Sequence, residues 1–168
     1  MGPWGRLLWR NNAWGRTRRI GEKNGRKRSL LVDARGIPLS LVASGANQHD
    51  MKLLTATLDR VVCKRPKPRK WQPQHLCSDA GYKGEPARKA VTARNYRPHI
   101  KQRKEESEAR KRKPGYKARR WVVERTHSWL NRFRKLLVSF EKTEASYMAL
   151  LSLAAALICW RQTSTIHG

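Results

Sequence analysis

Acidic residues are scarce in this 168-residue chain: twelve aspartates and glutamates face 38 lysines and arginines, for a formal net charge of +26. That imbalance argues against routine chemistry on small acidic metabolites. Self-repulsion of this size opposes compaction unless a polyanion lies close by, and nucleic acid is the commonest such partner. Cysteine is also sparse. Cys63, Cys77 and Cys159 are an odd number without Cys-x-x-Cys spacing, which suggests neither a zinc ribbon nor a disulfide framework and fits a reducing cytoplasm. Long apolar runs are missing as well. The longest, Tyr147 to Trp160, is interrupted by Ser152 and falls short of the roughly 20 residues that span a bilayer, so no membrane partner is expected. Met1 to Arg19 mixes basic and apolar residues without a continuous apolar stretch, a poor signal peptide. His49, His75, His99, His127 and His167 follow no metal-ligand spacing, so each reads as satisfied or exposed.

Against these absences stand 39% apolar residues and seven tryptophans, too many for a basic disordered tail. A folded nucleic-acid-binding protein of one domain is the first inference. Residues 1–24 follow neither helical nor strand periodicity and read as a poorly ordered Gly/Arg/Trp-rich segment. Arg28 to Val32 and Ile37 to Ala43 read as a β-hairpin, with Asp33 at its turn and Pro38 where a missing N–H is tolerated. Asp50 is placed to cap a helix through Leu53, Leu54, Thr57, Leu58, Val61 and Val62. The proline- and base-rich stretch Lys64 to Pro73 is a solvated connection near phosphate. A brief strand, His75 to Ser78, then meets an Asp79 to Gly84 turn and a helix from Glu85 to Thr92. Arg97 to Ile100 reads as a further strand, and Gln102 to Lys113 as a solvated loop of mixed charge.

From Ala118 to Phe140 the pattern is that of one long helix, and Thr143 caps a last one reaching Gln162. At about 100° per residue, Val122, Thr126, Trp129, Leu130, Phe133, Leu136, Leu137 and Phe140 share an apolar sector. Arg120, Glu124, His127, Asn131 and Lys135 lie opposite, so one carboxylate is set among bases. Taken alone, Glu124 is equally well a surface ion-pair partner that neutralises a basic helix. The last helix carries Met148, Leu150, Leu151, Leu153, Leu157 and Ile158 too evenly around it to be half exposed, so it is expected to be buried in the fold or in a dimer.

Four blocks in order carry a family resemblance. These are Gly25 to Leu39 with Ser-Leu-Leu-Val-Asp-Ala-Arg-Gly at its heart, Gly45-Ala-Asn-Gln-His-Asp50, Asp79-Ala-Gly-Tyr-Lys-Gly84, and Arg120-Trp-Val-Val-Glu-Arg125 followed by Trp129 to Leu136. Over about Gly21 to Trp160 the chain resembles the catalytic domain of DDE-type insertion-sequence transposases of short bacterial elements. The resemblance implies an α/β, RNase H-like mixed sheet flanked by helices, and a Mg²⁺ pair held by two aspartates and a glutamate. Such ions stabilise the attacking and leaving oxygens of in-line displacement at phosphorus. By position, Asp79 matches the second aspartate and Glu124 the glutamate, as catalytic and metal-binding residues. Arg120 matches the helix arginine, and Asn131 stands where lysine is commonest. Lys83, Arg120, Arg125, Arg132, Arg134 and Lys135 are the expected DNA-binding side chains.

The first aspartate of the family has no counterpart, since no aspartate precedes Asp33 and that residue reads as a turn former. The expectation is therefore a partial catalytic domain over residues 25–162, with its first strand missing, an incomplete metal site and a tail at 163–168. It is the C-terminal part of a transposase for metal-dependent strand cleavage and transfer, inactive alone, either truncated by decay or encoded as a frameshift partner. Expected partners are element-end and target DNA, with assembly as a homo-oligomer or as a mixed oligomer with full-length transposase on the bacterial nucleoid. The alternative is a non-enzymatic basic DNA binder, or an inhibitor derived from a transposase.

Overall fold

The computed structural model describes residues 6–14, 26–45, 47–64, 66–78, 84–100, 120–139 and 141–167. Its first element corrects an expectation. Arg6–Trp14 is a strand, β1, in the middle of a five-stranded sheet, so neither a missing first strand nor a wholly irregular 1–24 segment is found. Pairing rather than local periodicity makes it a strand. β1 runs antiparallel to β2 (Arg26–Val32) from Leu8↔Val32 to Trp14↔Arg26, and parallel to β4 (His75–Ser78) from Arg6↔His75 to Leu8↔Cys77. A strand with neighbours on both edges and helices on both faces has no reason to alternate apolar with polar.

The hairpin forms as read. β2 turns at Asp33 into β3 (Pro38–Gly45), and the sheet order is β3-β2-β1-β4-β5, with β5 (Arg97–Ile100) parallel to β4. Asp33 is a turn residue: its Oδ1 accepts the N–H groups of Arg35 at 2.9 Å and Ile37 at 2.8 Å. Gly36 has φ +86°, where a Cβ would stand 2.9 Å from the Thr126 hydroxyl, so only glycine fits.

Helices cover both faces. α1 (Asp50–Asp59) and α2 (Glu85–Thr92) bury Leu54, Leu58, Ala87 and Val91 against Leu31, Leu39 and Leu76. The cap of α1 is His49, whose Nδ1 accepts from Met51 N, while Asp50 is the first helical residue and pairs with Lys27 Nζ at 2.8 Å. α1 also stops at Asp59, short of Val61 and Val62, and leaves Val62 84% exposed.

On the other face, α3 (Arg120–Asn131), α4 (Arg134–Val138) and α5 (Glu144–His167) close over Leu30, Val32 and Ala43 with Val122, Val123, Leu130, Leu136, Tyr147, Leu151 and Ile158. Each such fully buried Leu or Ile contributes about 1.5–3 kcal/mol. The long helix expected from Ala118 to Phe140 is thus two helices among the described residues, broken at Arg132 and the extended Phe133. The break lets Leu136 enter the core and frees its carbonyl for Arg28. Thr143 caps α5 as read, its Oγ1 accepting from Ser146 N at 3.1 Å. The helix then runs to His167, so the tail expected at 163–168 is mostly its last turns.

Candidate active site

Glu124 stands on α3, and α3 is fixed to the hairpin at its middle and at its end. At its middle, Thr126 Oγ1 donates to Gly36 O at 2.7 Å and Arg125 Nη2 donates to Arg35 O. The Arg125 guanidinium also lies between two indoles, 4.7 Å from the Trp121 ring and 4.9 Å from the Trp129 ring. Spacing of four residues along a helix aligns these three side chains in one row. At its end, Asn131 Oδ1 accepts from Arg28 Nη1 at 2.9 Å. Glu124, one residue before Arg125 on the same helix, is exposed.

The polar stripe read from the sequence is therefore only partly polar surface. His127 is 2% exposed and Asn131 is half buried, because Val123 and His127 are turned toward the sheet as well as Val122 and Thr126. Trp129 and Phe133 are half buried and Leu137 is 40% exposed. Phe140 lies outside the described residues.

Asp79 and Lys83 lie outside the described residues too, and so does the stretch from Gln102 to Lys113 that the sequence reads as a loop. The strand that leads to Asp79 is described. β4 ends at Ser78, one step past the Leu8↔Cys77 pairing with β1. Nowhere from Arg6 to Trp14 does β1 carry a carboxylate. Among the described residues no three His, Cys, Asp or Glu side chains come together to hold a metal ion. A pair of Mg²⁺ ions needs several convergent hard oxygen ligands, mostly carboxylates, and the sequence of β1 supplies no carboxylate to it.

Arg120 opens α3. Arg132, Arg134 and Lys135 are exposed around the break. Arg125 is engaged by its carbonyl and indole partners, which distinguishes it from these three. The connection before β4 adds exposed Lys64, Lys67, Arg69 and Lys70, with Trp71 78% exposed and Arg69 5.6 Å over its ring.

Two features escape the sequence. Arg28, 1% exposed, donates to the Tyr147 hydroxyl, to Asn131 and to the Leu136 carbonyl, and so ties β2 to α3, α4 and α5. His75 Nδ1 and His99 Nε2 approach to 2.5 Å across β4 and β5, a contact created only by strand pairing. Burial raises the Cys159 thiol above its ordinary value, keeping it protonated.

The transposase DDE domain family matches residues 8–159. A Burkholderia cepacia protein called "Putative transposase for insertion sequence element IS402" is 35% identical over 162 residues, which cover 94% of this chain and 71% of that protein. Among solved structures, a chain of the simian T-cell lymphotropic virus intasome in complex with PP2A regulatory subunit B56 gamma matches 92% of this chain at TM-score 0.54 and 15% identity. This chain spans about half of that one, 48%. The catalytic core domain of BIV integrase is 14% identical at TM-score 0.49, over 90% of this chain and 81% of that one. The intasome chain shares the fold, a mixed, RNase H-like sheet between helix layers. By the family match and the relative's identity together, the chain belongs to the DDE-domain transposases.

Proposed function

We propose that this chain is the catalytic-domain part of an insertion-sequence transposase that holds element-end and target DNA on its basic surface. Asp79 and Glu124 are two of the acids used for metal-dependent strand cleavage and strand transfer, and the chain alone does not cut. The observation that carries this reading is the acid-free β1 beside the end of β4. A DDE domain with a well-formed central strand and no carboxylate on it keeps the DNA-facing charge and lacks one ligand position. The same observation favours a second reading, that the chain acts as an inhibitor by joining full-length transposase in mixed oligomers. Mg²⁺ is the metal proposed for the complete site, and the bacterial nucleoid is the proposed location.

Labelled terminal-repeat DNA incubated with Mg²⁺ tests the first reading. The chain alone should bind and leave the strands intact, whereas a chimera whose first strand is replaced by one carrying an aspartate should cut. Asp79→Ala and Glu124→Gln should each abolish cutting by the chimera and leave DNA affinity within about threefold, since neither removes a positive charge. Cleavage by the unaltered chain, or by a chimera bearing either substitution, would overturn the assignment.

A further inference from the structure

β3 is an edge strand of the sheet, and α5 lies along it in the opposite direction. At one end Cys159 Sγ is 3.7 Å from the Pro38 carbonyl, and at the other Ala43 N–H donates to Met148 Sδ at 3.2 Å. The five strand steps between Pro38 and Ala43, at about 3.3 Å each, match the eleven helix steps between Met148 and Cys159, at about 1.5 Å each. Helix and strand thus stay side by side over this length, and between them runs a groove of about 780 Å³.

The groove is apolar along its middle and charged at its ends. Leu39, Leu41, Ala149, Ser152 and Ala156 line the middle. Val62 N–H donates to Leu39 O, which places Val62 and its neighbour Arg60 at the Pro38 end. Glu144 lies at the other end, one turn before Met148. Both charged residues are exposed, and neither forms an ion pair with another of the described residues.

No charged residue separates Glu144 from Arg161 along α5, in a chain whose residues are 30% charged. Ala149, Ser152 and Ala156 are exposed, and so are Leu153 at 59% and Trp160 at 69%. The sequence predicts burial for this helix, and the fold leaves one side of it open. DNA does not suit that side, since from Ala145 to Trp160 the helix offers phosphate no base.

We propose that the groove is the interface of a two-fold dimer, occupied by α5 of a second copy running antiparallel to α5 of the first. A two-fold axis across the helix makes the contact isologous, so each end of the groove meets the opposite end of its copy. Glu144 of each copy then reaches Arg60 of the other, twice per dimer. A parallel arrangement would set Glu144 against Glu144. Small side chains at Ala149, Ser152 and Ala156 let the two helices approach closely. The proposal gives a surface to the self-association named above and does not depend on the catalytic assignments.

The test is sedimentation equilibrium of the DNA-free chain at about 0.15 M salt, where the Debye length of about 8 Å screens the net repulsion. The chain should be a dimer at micromolar concentration. Glu144→Arg and Arg60→Glu should each weaken it about tenfold or more, because each turns two attractions into two repulsions. Mixing the two variants should restore dimers to within about threefold, since both cross-contacts of the mixed pair are again between opposite charges. Ala149→Arg should abolish dimers outright. Both charge variants alter exposed residues, and unchanged circular dichroism melts verify that they fold. A chain that stays monomeric, dimers indifferent to these substitutions, or a mixture no tighter than either variant would overturn the proposal, whatever the cleavage assay returns.

Discussion

Arg28 is a buried guanidinium with neutral partners, the Tyr147 hydroxyl, the Asn131 side-chain carbonyl and the Leu136 carbonyl. Its Cζ also lies 5.5 Å from the Tyr147 ring centroid. The planar fork spreads its donors over three nitrogens and reaches three elements at once, whereas an ammonium holds its donors on one atom. Arg28→Lys should therefore cost about 1–3 kcal/mol, since buried acceptors lose their donors. Urea melts would show it, and a lysine variant as stable as the parent would mean that the network contributes little. In the sequence Arg28 is one base in a cluster of them, and nothing local marks it as the buried one. Asp33 is the opposite case. Its bonds go to Arg35 and Ile37, two and four residues away, so its role was readable from the Asp-Ala-Arg-Gly tetrapeptide.

Among the elements, the hairpin, α2 and the short strands β4 and β5 follow local signals, and the structure has them where the sequence places them. α1 shows how an end is decided. It finishes at Asp59, an acid where the helix dipole disfavours one, and Arg94 just beyond α2 compensates with Nε at 2.6 Å from Oδ1 and Nη2 at 2.7 Å from Oδ2. The hydrogen bond from Arg94, with the charge behind it, holds the Asp59 carboxyl below its ordinary value. A lowered folded value means that the contribution is fully present above about pH 4 and is lost as pH falls through the folded pKa. Both side chains are partly solvated, so the pair is worth about 0.2–1 kcal/mol. Asp59→Asn should destabilise by that amount at neutral pH, and the gap to the parent should narrow in melts below about pH 4. A gap that widened with acid would reverse the argument. The break between α3 and α4 had no such local signal, because Phe133 and Leu136 keep helical spacing and only the cluster under α5 draws them inward.

For the molecule as a whole, charge is the property least dependent on fold. Duplex DNA should bind tightly at low salt and almost without sequence preference, with a log–log salt slope of about −0.9 for each phosphate neutralised. Mobility shifts over a salt series check this, and a salt-insensitive affinity would count against phosphate contact as the main source of binding. Net charge, the family blocks, the Asp33 turn, the Thr143 cap and the helical character of the C-terminal third were all determined by the sequence alone. They rest on residue type or on neighbours a few positions apart. Only the tertiary structure decided that Arg6–Trp14 is the central strand, that Arg28 and His127 are buried, and that α5 leaves a groove open beside β3. Each depends on partners far apart in the chain, as Arg28 and Tyr147 are by 119 residues, and a periodicity read along one segment contains no information about what another segment will press against it.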